Sequence, residues 1–513
     1  MNESSQRKSG VILSYISIII NTLIQLIYTP LLIKFLGQAE YGLYSLVASI
    51  IGYLTVLDLG FGNAIIVYTA KYREQKRFDE EKKLHGMFKI VFIIIGIIAT
   101  FLGIILYFNV DLIFASKMTL EELSKMKIMM LILSLNLFMT FTFSIYGSII
   151  NAYEKFVFIK LVSILNTILR TIIMIPLLFL GYKSITLCIV ITVVNAIVLL
   201  SNYIYCKKKL KVSTKYLGFD KTIFKTIIGY SVWIFMGTIV DKANWSVDNF
   251  VLGSVSGTIA VSIYSIAATL NQMFISLSTA ISGVLLPKMS KLVARKASGE
   301  ELTNEMIKVG RLQNYIIFLM CSGLIIFGKS FIRFWAGSGF EESYYVALLL
   351  IIPVCVPLIQ NLGLSIIQAL NKYKFKSITS LIMAIVNIII SIFLAKKFGA
   401  IGAALGTCIS LIICNVIMIN IYYFKYLKLN IKKFWIQIIK QSIPFAIPIF
   451  IVLIIKSILV LNYKLDFIVY GFVYVVLFCI TSYLFSMNEY EKDMLNKILR
   501  KFHLKKVKYE RNS

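Results

Sequence analysis

Long uncharged apolar runs recur along the whole chain, and this pattern constrains the fold more than any other feature of the sequence. Many of the runs reach the roughly 18 to 25 residues that an α-helix needs to cross a bilayer. The 513 residues are 59% hydrophobic and have a mean hydropathy of +0.84. A water-soluble domain of that composition could not cover itself with polar surface. The sequence therefore predicts an all-α integral membrane protein.

The apolar runs predict about fourteen membrane-spanning helices. The first run lacks the pattern of a cleaved secretory signal, so we expect it to be retained as a span. We place the spans near residues 11–33, 41–69, 88–107, 128–150, 156–180, 185–205, 224–252, 258–286, 313–327, 344–369, 377–394, 400–424, 435–460 and 465–485.

The distribution of basic residues predicts the orientation. Most of the 53 Lys and Arg lie at the two termini and in alternate loops, near residues 71–84, 207–221, 288–308, 372–376 and 425–433. Cytoplasmic loops carry such an excess. We therefore expect a multi-pass protein of the bacterial cytoplasmic membrane with both termini in the cytoplasm. The formal charge of +29 is then a topology signal and does not indicate nucleic-acid binding.

The two halves of the chain resemble each other at an offset of about 220 residues. Residues 42–48 (GLYSLVA) match 262–268 (SIYSIAA), and residues 151–153 (NAY) match 371–373 (NKY). At nearly the same offset, Asn166 pairs with Asn387 and Asn195 with Asn415. Each repeat holds six spans, an even number. The copies therefore share one orientation, related by a pseudo-twofold axis along the membrane normal.

This duplication divides the chain into four parts. We expect a first lobe over residues 1–206 and a second over 207–424. Two C-terminal spans, within 425–486, fall outside the duplication, and a basic cytoplasmic tail follows over 487–513. The tail either contacts anionic headgroups or only anchors the topology.

Four segments near the N-terminus carry a family resemblance: residues 29–32 (TPLL), 35–37 (FLG), 40–44 (EYGLY) and 57–64 (LDLGFGNA). With them the chain resembles the Wzx-type polysaccharide flippases of the multidrug/oligosaccharidyl-lipid/polysaccharide exporter superfamily. The resemblance implies a MATE/MurJ-like fold, alternating access, and no catalytic residues, metal or cofactor. It also implies a cargo, oligosaccharide units on undecaprenyl pyrophosphate. These units would cross from the inner to the outer leaflet for O-antigen, capsule or exopolysaccharide synthesis. The implied partners are membrane lipids and polymerase or assembly proteins. The resemblance implies no nucleic-acid partner.

Such a cargo requires polar groups at membrane depth, because an unpaired hydroxyl in hydrocarbon costs about 2–7 kcal/mol. Polar stripes lie on the first and seventh spans, and by the repeat offset Asn21 pairs with Asp241 and Tyr28 with Asp248. We expect these stripes to line a cavity between the lobes, although interhelical hydrogen bonding is the alternative. Their members are Asn21, Gln25 and Tyr28 in the first span, and Asp241, Asn244, Trp245 and Asp248 in the seventh.

Charged side chains within the spans supply further candidates. Arg170 is the candidate for phosphate contact, unless it pairs with an aspartate such as Asp58. Asp58, Asp241 and Asp248 are the candidates for coupling transport to a proton or sodium gradient. Lys34 and Arg333 are candidates for an exit-side anion contact, and snorkelling to the interface is the alternative.

Three rival functions remain at this point. A lipid II flippase also has fourteen spans, but the first lobe shows no cluster of three arginines. A multidrug exporter of the same superfamily typically has twelve spans. A membrane glycosyltransferase or polymerase would need catalytic groups on a large outer loop, whereas the longest outer connections, 108–127 and 328–343, are short. The two histidines and seven scattered cysteines form no metal or redox motif. We therefore expect a transporter and not an enzyme.

Overall fold

A computed structural model describes residues 3–282, 292, 295, 297–370, 372, 374–459 and 463–496. All regular elements in this part of the chain are helical, as predicted. They are α1 Glu3–Leu36, α2 Gln38–Leu54, α3 Phe61–Glu74, α4 Phe78–Phe114, α5 Leu120–Ala152, α6 Phe156–Phe179, α7 Ser184–Ile204, α8 Lys221–Trp245, α9 Val247–Val255, α10 Thr258–Ser282, α11 Gly299–Trp335, α12 Glu342–Ile359, α13 Asn361–Ala369, α14 Lys374–Leu411, α15 Ile419–Lys425, α16 Ile431–Ser442, α17 Ala446–Ile458 and α18 Tyr463–Thr481.

Within the described residues, thirteen helices are long and apolar enough to cross a membrane. One of them, Lys374–Lys425, has 52 residues. A straight helix of that length would measure about 78 Å, more than twice the roughly 30 Å of a hydrocarbon core. Gly399 interrupts it with φ 54° and ψ −132°, so this helix makes two crossings. The described part then contains the fourteen spans that the sequence predicts.

The chain forms two compact units. The first comprises Met1–Ser276, Ala336–Leu350 and Lys374–Cys414. In it α4 packs along α5, α5 along α7, α1 along α6, and α14 against α8 and α9. Small residues bring these backbones close, as in other helical membrane proteins. A Cβ added at Gly103 would lie 2.2 Å from the Ser134 hydroxyl, so α4 and α5 touch there without space for a side chain.

The second predicted span is broken in its middle. A 3₁₀ turn, Thr55–Asp58, separates α2 from α3, and Leu59 and Gly60 after it are both left-handed, with φ of 53° and 76°. Gly60 also has no room for a side chain, because a Cβ would lie 2.9 Å from the Ile234 Cβ of α8. Gly60 therefore both permits the kink in this span and allows a close contact with α8.

The second compact unit comprises Leu277–Trp335, Ile351–Tyr373 and Asn415–Ser513. An aromatic and aliphatic cluster joins α11 to α17 and α18 in its core; its buried members are Phe327, Phe445, Val452, Tyr470, Tyr474 and Phe478. A buried ion pair lies at one end of this unit, where Arg311 Nε is 2.6 Å from Glu491 Oε1 and Arg311 Nη2 also donates to the Ser486 carbonyl. This pair fastens the segment after α18 to α11.

Candidate functional site

A polar cavity of about 320 Å³ lies within the first compact unit, among α1, α2, α6 and α7. It brings together Arg170 of α6 and the polar stripe of α1, which were predicted separately from the sequence. The lining residues are Asn21, Ile24, Gln25, Tyr28, Leu32, Tyr44, Thr167, Arg170, Thr171, Leu187 and Ile191. We call this space the Arg170 cavity.

The helical repeat explains why these side chains converge. Asn21, Gln25 and Tyr28 follow the i, i+4, i+7 spacing of one helix face, and α1 packs directly along α6, which carries Arg170. Tyr44 of α2 completes the wall and was not singled out from the sequence. A signal was present nonetheless, because the repeat match of residues 42–48 with 262–268 aligns Tyr44 with Tyr264.

Arg170 faces the cavity without a balancing charge. In the part of the chain that the structure describes, no carboxylate lies within ion-pair distance of its guanidinium, and its Nε has no hydrogen-bond partner. The buried hydroxyl of Tyr28 also has none among these residues. An unpaired guanidinium at membrane depth is costly, and such groups usually serve a ligand or an ion pathway. The arrangement is suited to binding an anion in a bidentate manner.

The alternative partner for Arg170, Asp58, is engaged elsewhere. It precedes α3, where its Oδ2 accepts a hydrogen bond from the Gly62 N–H at 3.4 Å. This contact places the carboxylate at the exposed amides and positive dipole end of a half-helix. Asp58 thus lies at the break in the second span and forms no ion pair with Arg170.

A second polar site surrounds Asp248, at the start of α9. The side chain is only 1% exposed, and its Oδ2 accepts hydrogen bonds from the Tyr264 hydroxyl and from Thr407 Oγ1, the latter at 2.8 Å. Thr407 Oγ1 also lies 3.3 Å from Asn387 Oδ1, and Ser391 Oγ donates to the same oxygen at 3.1 Å. The other carboxylate oxygen, Oδ1, has no partner among the described residues.

Five oxygen-bearing side chains thus meet in one buried place, which we call the Asp248 site. In the described residues no Lys or Arg forms an ion pair with Asp248. A carboxylate, an amide oxygen and hydroxyls are ligands that hard cations prefer. A buried carboxylate without a positive partner is costly, so binding of a proton or a cation would stabilise this site.

The two sites occupy equivalent positions in the two repeats. The offset of about 220 residues relates Tyr28 to Asp248, Tyr44 to Tyr264 and, one residue out of step, Arg170 to Ser391. By this sequence offset, the two polar sites belong to corresponding helices of the two repeats. The first repeat has a cation there and the second an anion.

The remaining predicted residues lie away from these sites or cannot be placed. The side chains of Asp241, Asn244 and Trp245 lie outside the described residues, although their backbone belongs to α8. Lys34 is exposed near the end of α1, with its Nζ 6.0 Å from the centre of the Phe35 ring. Arg333 is exposed near the end of α11.

Comparison with known proteins identifies the class. The sequence profile of the family described as "Polysaccharide biosynthesis protein" matches residues 8–293, and the chain belongs to this family. It is 22% identical over 411 residues to a putative O-antigen transporter of Shigella flexneri, covering 79% of this chain and 94% of the relative. It is 28% identical over 206 residues to the capsular polysaccharide biosynthesis protein CapF of Staphylococcus aureus, covering 39% of this chain and 50% of the relative.

Solved structures show the same fold. The lipid II flippase MurJ in an inward closed conformation superposes with a TM-score of 0.73 at 21% identity, covering 93% of this chain and 98% of that one. An inward-facing MATE multidrug transporter superposes with a TM-score of 0.60 at 14% identity, covering 77% and 96%. The predicted MATE/MurJ-like fold and the Wzx-type flippase resemblance are confirmed. This is a multi-pass membrane transporter of the polysaccharide flippase class and not an enzyme.

Proposed function

We propose that this protein moves oligosaccharide units linked to undecaprenyl pyrophosphate from the inner to the outer leaflet, by alternating access. The observation that carries the proposal is the unpaired Arg170 guanidinium facing a polar cavity inside the bundle. A lipid-linked sugar has two parts that need protein at membrane depth, an anionic pyrophosphate and several hydroxyls. The polyprenyl chain can remain in the bilayer.

The Arg170 cavity fits the charged end of such a cargo. Its volume of about 320 Å³ is near the lower end of the roughly 300–1,000 Å³ of small-molecule sites. It is therefore large enough for a pyrophosphate and an adjoining sugar, but not for a whole repeat unit. Arg170 would bind the phosphates, while Asn21, Gln25 and Tyr28 supply hydrogen bonds. The relatives named as an O-antigen transporter and a capsular polysaccharide protein support a lipid-linked saccharide as the substrate class.

We further propose that the Asp248 site couples transport to a proton or sodium gradient. Its carboxylate is buried, has oxygen ligands and has no positive partner among the described residues. A cation that crosses with its charge gains about 2.3 kcal/mol per 100 mV of membrane potential. Protonation or sodium binding would remove the cost of the buried charge and so bias one arrangement of the second repeat. No resident cofactor is part of this scheme.

The membrane location and the orientation of the chain are part of the same proposal. The basic loops support a bacterial cytoplasmic membrane protein with both termini in the cytoplasm. In this orientation substrate made on the cytoplasmic side would reach Arg170 from the cytoplasm. A polymerase or another assembly protein would receive the product on the outer side.

A lipid II flippase is the second candidate, favoured by the superposition on MurJ. Its cargo also carries a pyrophosphate, so Arg170 would serve it equally well. A multidrug exporter fits less well, because an unpaired guanidinium in the cavity repels an organic cation.

Deletion of the gene in its host tests the proposal, with undecaprenyl-linked lipids quantified by mass spectrometry. We expect a complete oligosaccharide unit on undecaprenyl pyrophosphate to accumulate and surface polysaccharide to fall. The wild-type gene should restore both, and a gene carrying Arg170→Gln should not, whereas Lys440→Gln, which removes an exposed cation of α16, serves as the matched control and should restore both. Accumulation of lipid II instead would favour the second candidate. Unchanged lipids together with greater sensitivity to cationic drugs would refute both.

A further inference from the structure

A short non-helical segment, residues 211–220, connects the two repeats between the candidate spans Ser184–Lys209 and Lys221–Val240. Alternate side chains of this segment point inward. Val212 is buried, and so is Thr214, whose Oγ1 lies 3.5 Å from the Tyr146 hydroxyl of α5. The segment is thus attached to helices of the first repeat and is not a loose tether.

Its backbone also rests directly on α4. A Cβ added at Gly86 would lie 2.1 Å from the carbonyl oxygen of Lys215, so only glycine permits this approach. Further along the segment, Gly218 has a φ of +102°, in the left-handed region that favours glycine. The close contact on one side fixes which side chains face away from the protein.

Three large apolar side chains lie on that outward side. Tyr216, Leu217 and Phe219 are 48%, 50% and 50% exposed. The Phe219 ring is held in place by Phe224 of α8, with 4.9 Å between ring centres. Aromatic residues between two spans are typical of the level of lipid headgroups, where an apolar body and a polar environment meet.

Exposed lysines surround these apolar side chains. The acid within the segment, Asp220, is used at the start of α8, where its Oδ1 accepts hydrogen bonds from the Thr222 and Ile223 amides at 2.9 and 3.1 Å. Among the described residues no carboxylate lies within ion-pair distance of these lysines, which are Lys208, Lys209, Lys211, Lys215, Lys221 and Lys225.

We propose that this surface, residues 208–225, is a binding site for anionic phospholipid headgroups; we call it the linker patch. The lysines attract the headgroup phosphates, and Tyr216, Leu217 and Phe219 insert at the headgroup level. Charge complementarity favours anionic lipid at this patch, since a zwitterionic headgroup offers no net charge to these lysines. The lipid bound here is a component of the bilayer and not the transported cargo, so the inference does not rest on the proposed function.

Native mass spectrometry of the purified full-length protein in a neutral detergent tests the proposal. The protein is titrated with phosphatidylglycerol and, separately, with phosphatidylcholine. We expect tighter binding of phosphatidylglycerol. We also expect at least a tenfold loss of that affinity in a variant that combines Lys208→Gln, Lys209→Gln, Lys211→Gln and Lys215→Gln, because each juxtamembrane lysine contributes about fivefold.

The chain offers a matched control on α14. Lys396 and Lys397 are exposed and precede Phe398, which is 56% exposed. Their double replacement by glutamine should leave phosphatidylglycerol binding within about twofold of wild type. Equal binding of the two lipids by the wild type, full retention by the quadruple variant, or an equal loss in the control would each overturn the proposal. If the quadruple variant does not fold, Tyr216→Ser with Phe219→Ser tests the same patch, and an unchanged affinity there overturns it.

Discussion

Replacing Asp248 by asparagine removes one buried negative charge while keeping the size and shape of the side chain. Asparagine retains one carbonyl oxygen that can accept from Tyr264 or Thr407. Alanine would instead remove the acceptor of the buried Tyr264 hydroxyl, at about 1–3 kcal/mol, and leave Thr407 with only Asn387 Oδ1 to accept its hydrogen bond. We therefore expect Asp248→Asn to fold with little loss of stability and Asp248→Ala to be clearly less stable.

The functional consequence follows from the coupling proposal. At 100 mV a coupled charge supplies about 2.3 kcal/mol, which corresponds to an outer-to-inner cargo ratio of about fiftyfold. Without the carboxylate that advantage disappears. Asp248→Asn should still equilibrate cargo between leaflets but should no longer respond to an imposed sodium or pH gradient, whereas a response to membrane potential can persist because the pyrophosphate itself carries charge.

The assay uses the purified protein in proteoliposomes that contain a fluorescent undecaprenyl-linked saccharide, with gradients imposed one at a time. Wild type and Asp248→Asn are compared under each gradient. Asp79→Asn is the matched control, since Asp79 is an exposed carboxylate near the start of α4, and it should retain the gradient dependence of wild type. Retained gradient dependence in Asp248→Asn, with normal folding, would refute the role given to the Asp248 site.

Two further predictions concern packing. Gly42→Ala should lower the unfolding temperature by several degrees, because a Cβ there would lie 1.9 Å from the Thr258 carbonyl oxygen and overpacking costs about 1–3 kcal/mol. The control is Gly229→Ala, where a Cβ would have no neighbour within 4 Å; it should leave the unfolding temperature unchanged. Equal effects in a fluorescence melt would contradict this reasoning. Arg311→Met should destabilise the protein by about 3–5 kcal/mol by leaving a buried carboxylate unpaired. The double variant Arg311→Met with Glu491→Leu should recover most of that loss of stability. A double variant as unstable as Arg311→Met alone would contradict this prediction.

The sequence was sufficient for the architecture because hydrophobic runs and basic loops are strong signals in a membrane protein. The helix around Gly399 shows the remaining difficulty. Two spans, 377–394 and 400–424, were predicted on either side of Lys396 and Lys397. The structure joins them through one residue whose backbone is not helical. Hydropathy locates the crossings but does not report how few residues the chain needs to turn.

The candidate sites were only partly predictable. The α1 stripe and Arg170 stood out because polar residues in apolar spans are few, and the structure brings them into one cavity. Thr407 and Ser391 were not singled out as members of the Asp248 site, because hydroxyl residues are common in spans and only tertiary packing assigns them a partner. Asp58 stood out in the sequence as a charge within a predicted span. The structure instead places it at a break in that span, where it accepts a hydrogen bond at the start of α3.

The transport of a pyrophosphate-linked saccharide through the Arg170 cavity is the central claim, and reconstituted flipping tests it most directly. The rate at which a fluorescent undecaprenyl-pyrophosphate saccharide crosses the bilayer would be measured for wild type, Arg170→Lys and Arg170→Gln at equal protein density. A hydrogen bond to a charged group contributes about 1.5–3 kcal/mol. The expected result is a rate about ten- to 150-fold lower for Arg170→Gln and an intermediate rate for Arg170→Lys. A folded Arg170→Gln protein that flips this lipid at the wild-type rate would contradict it.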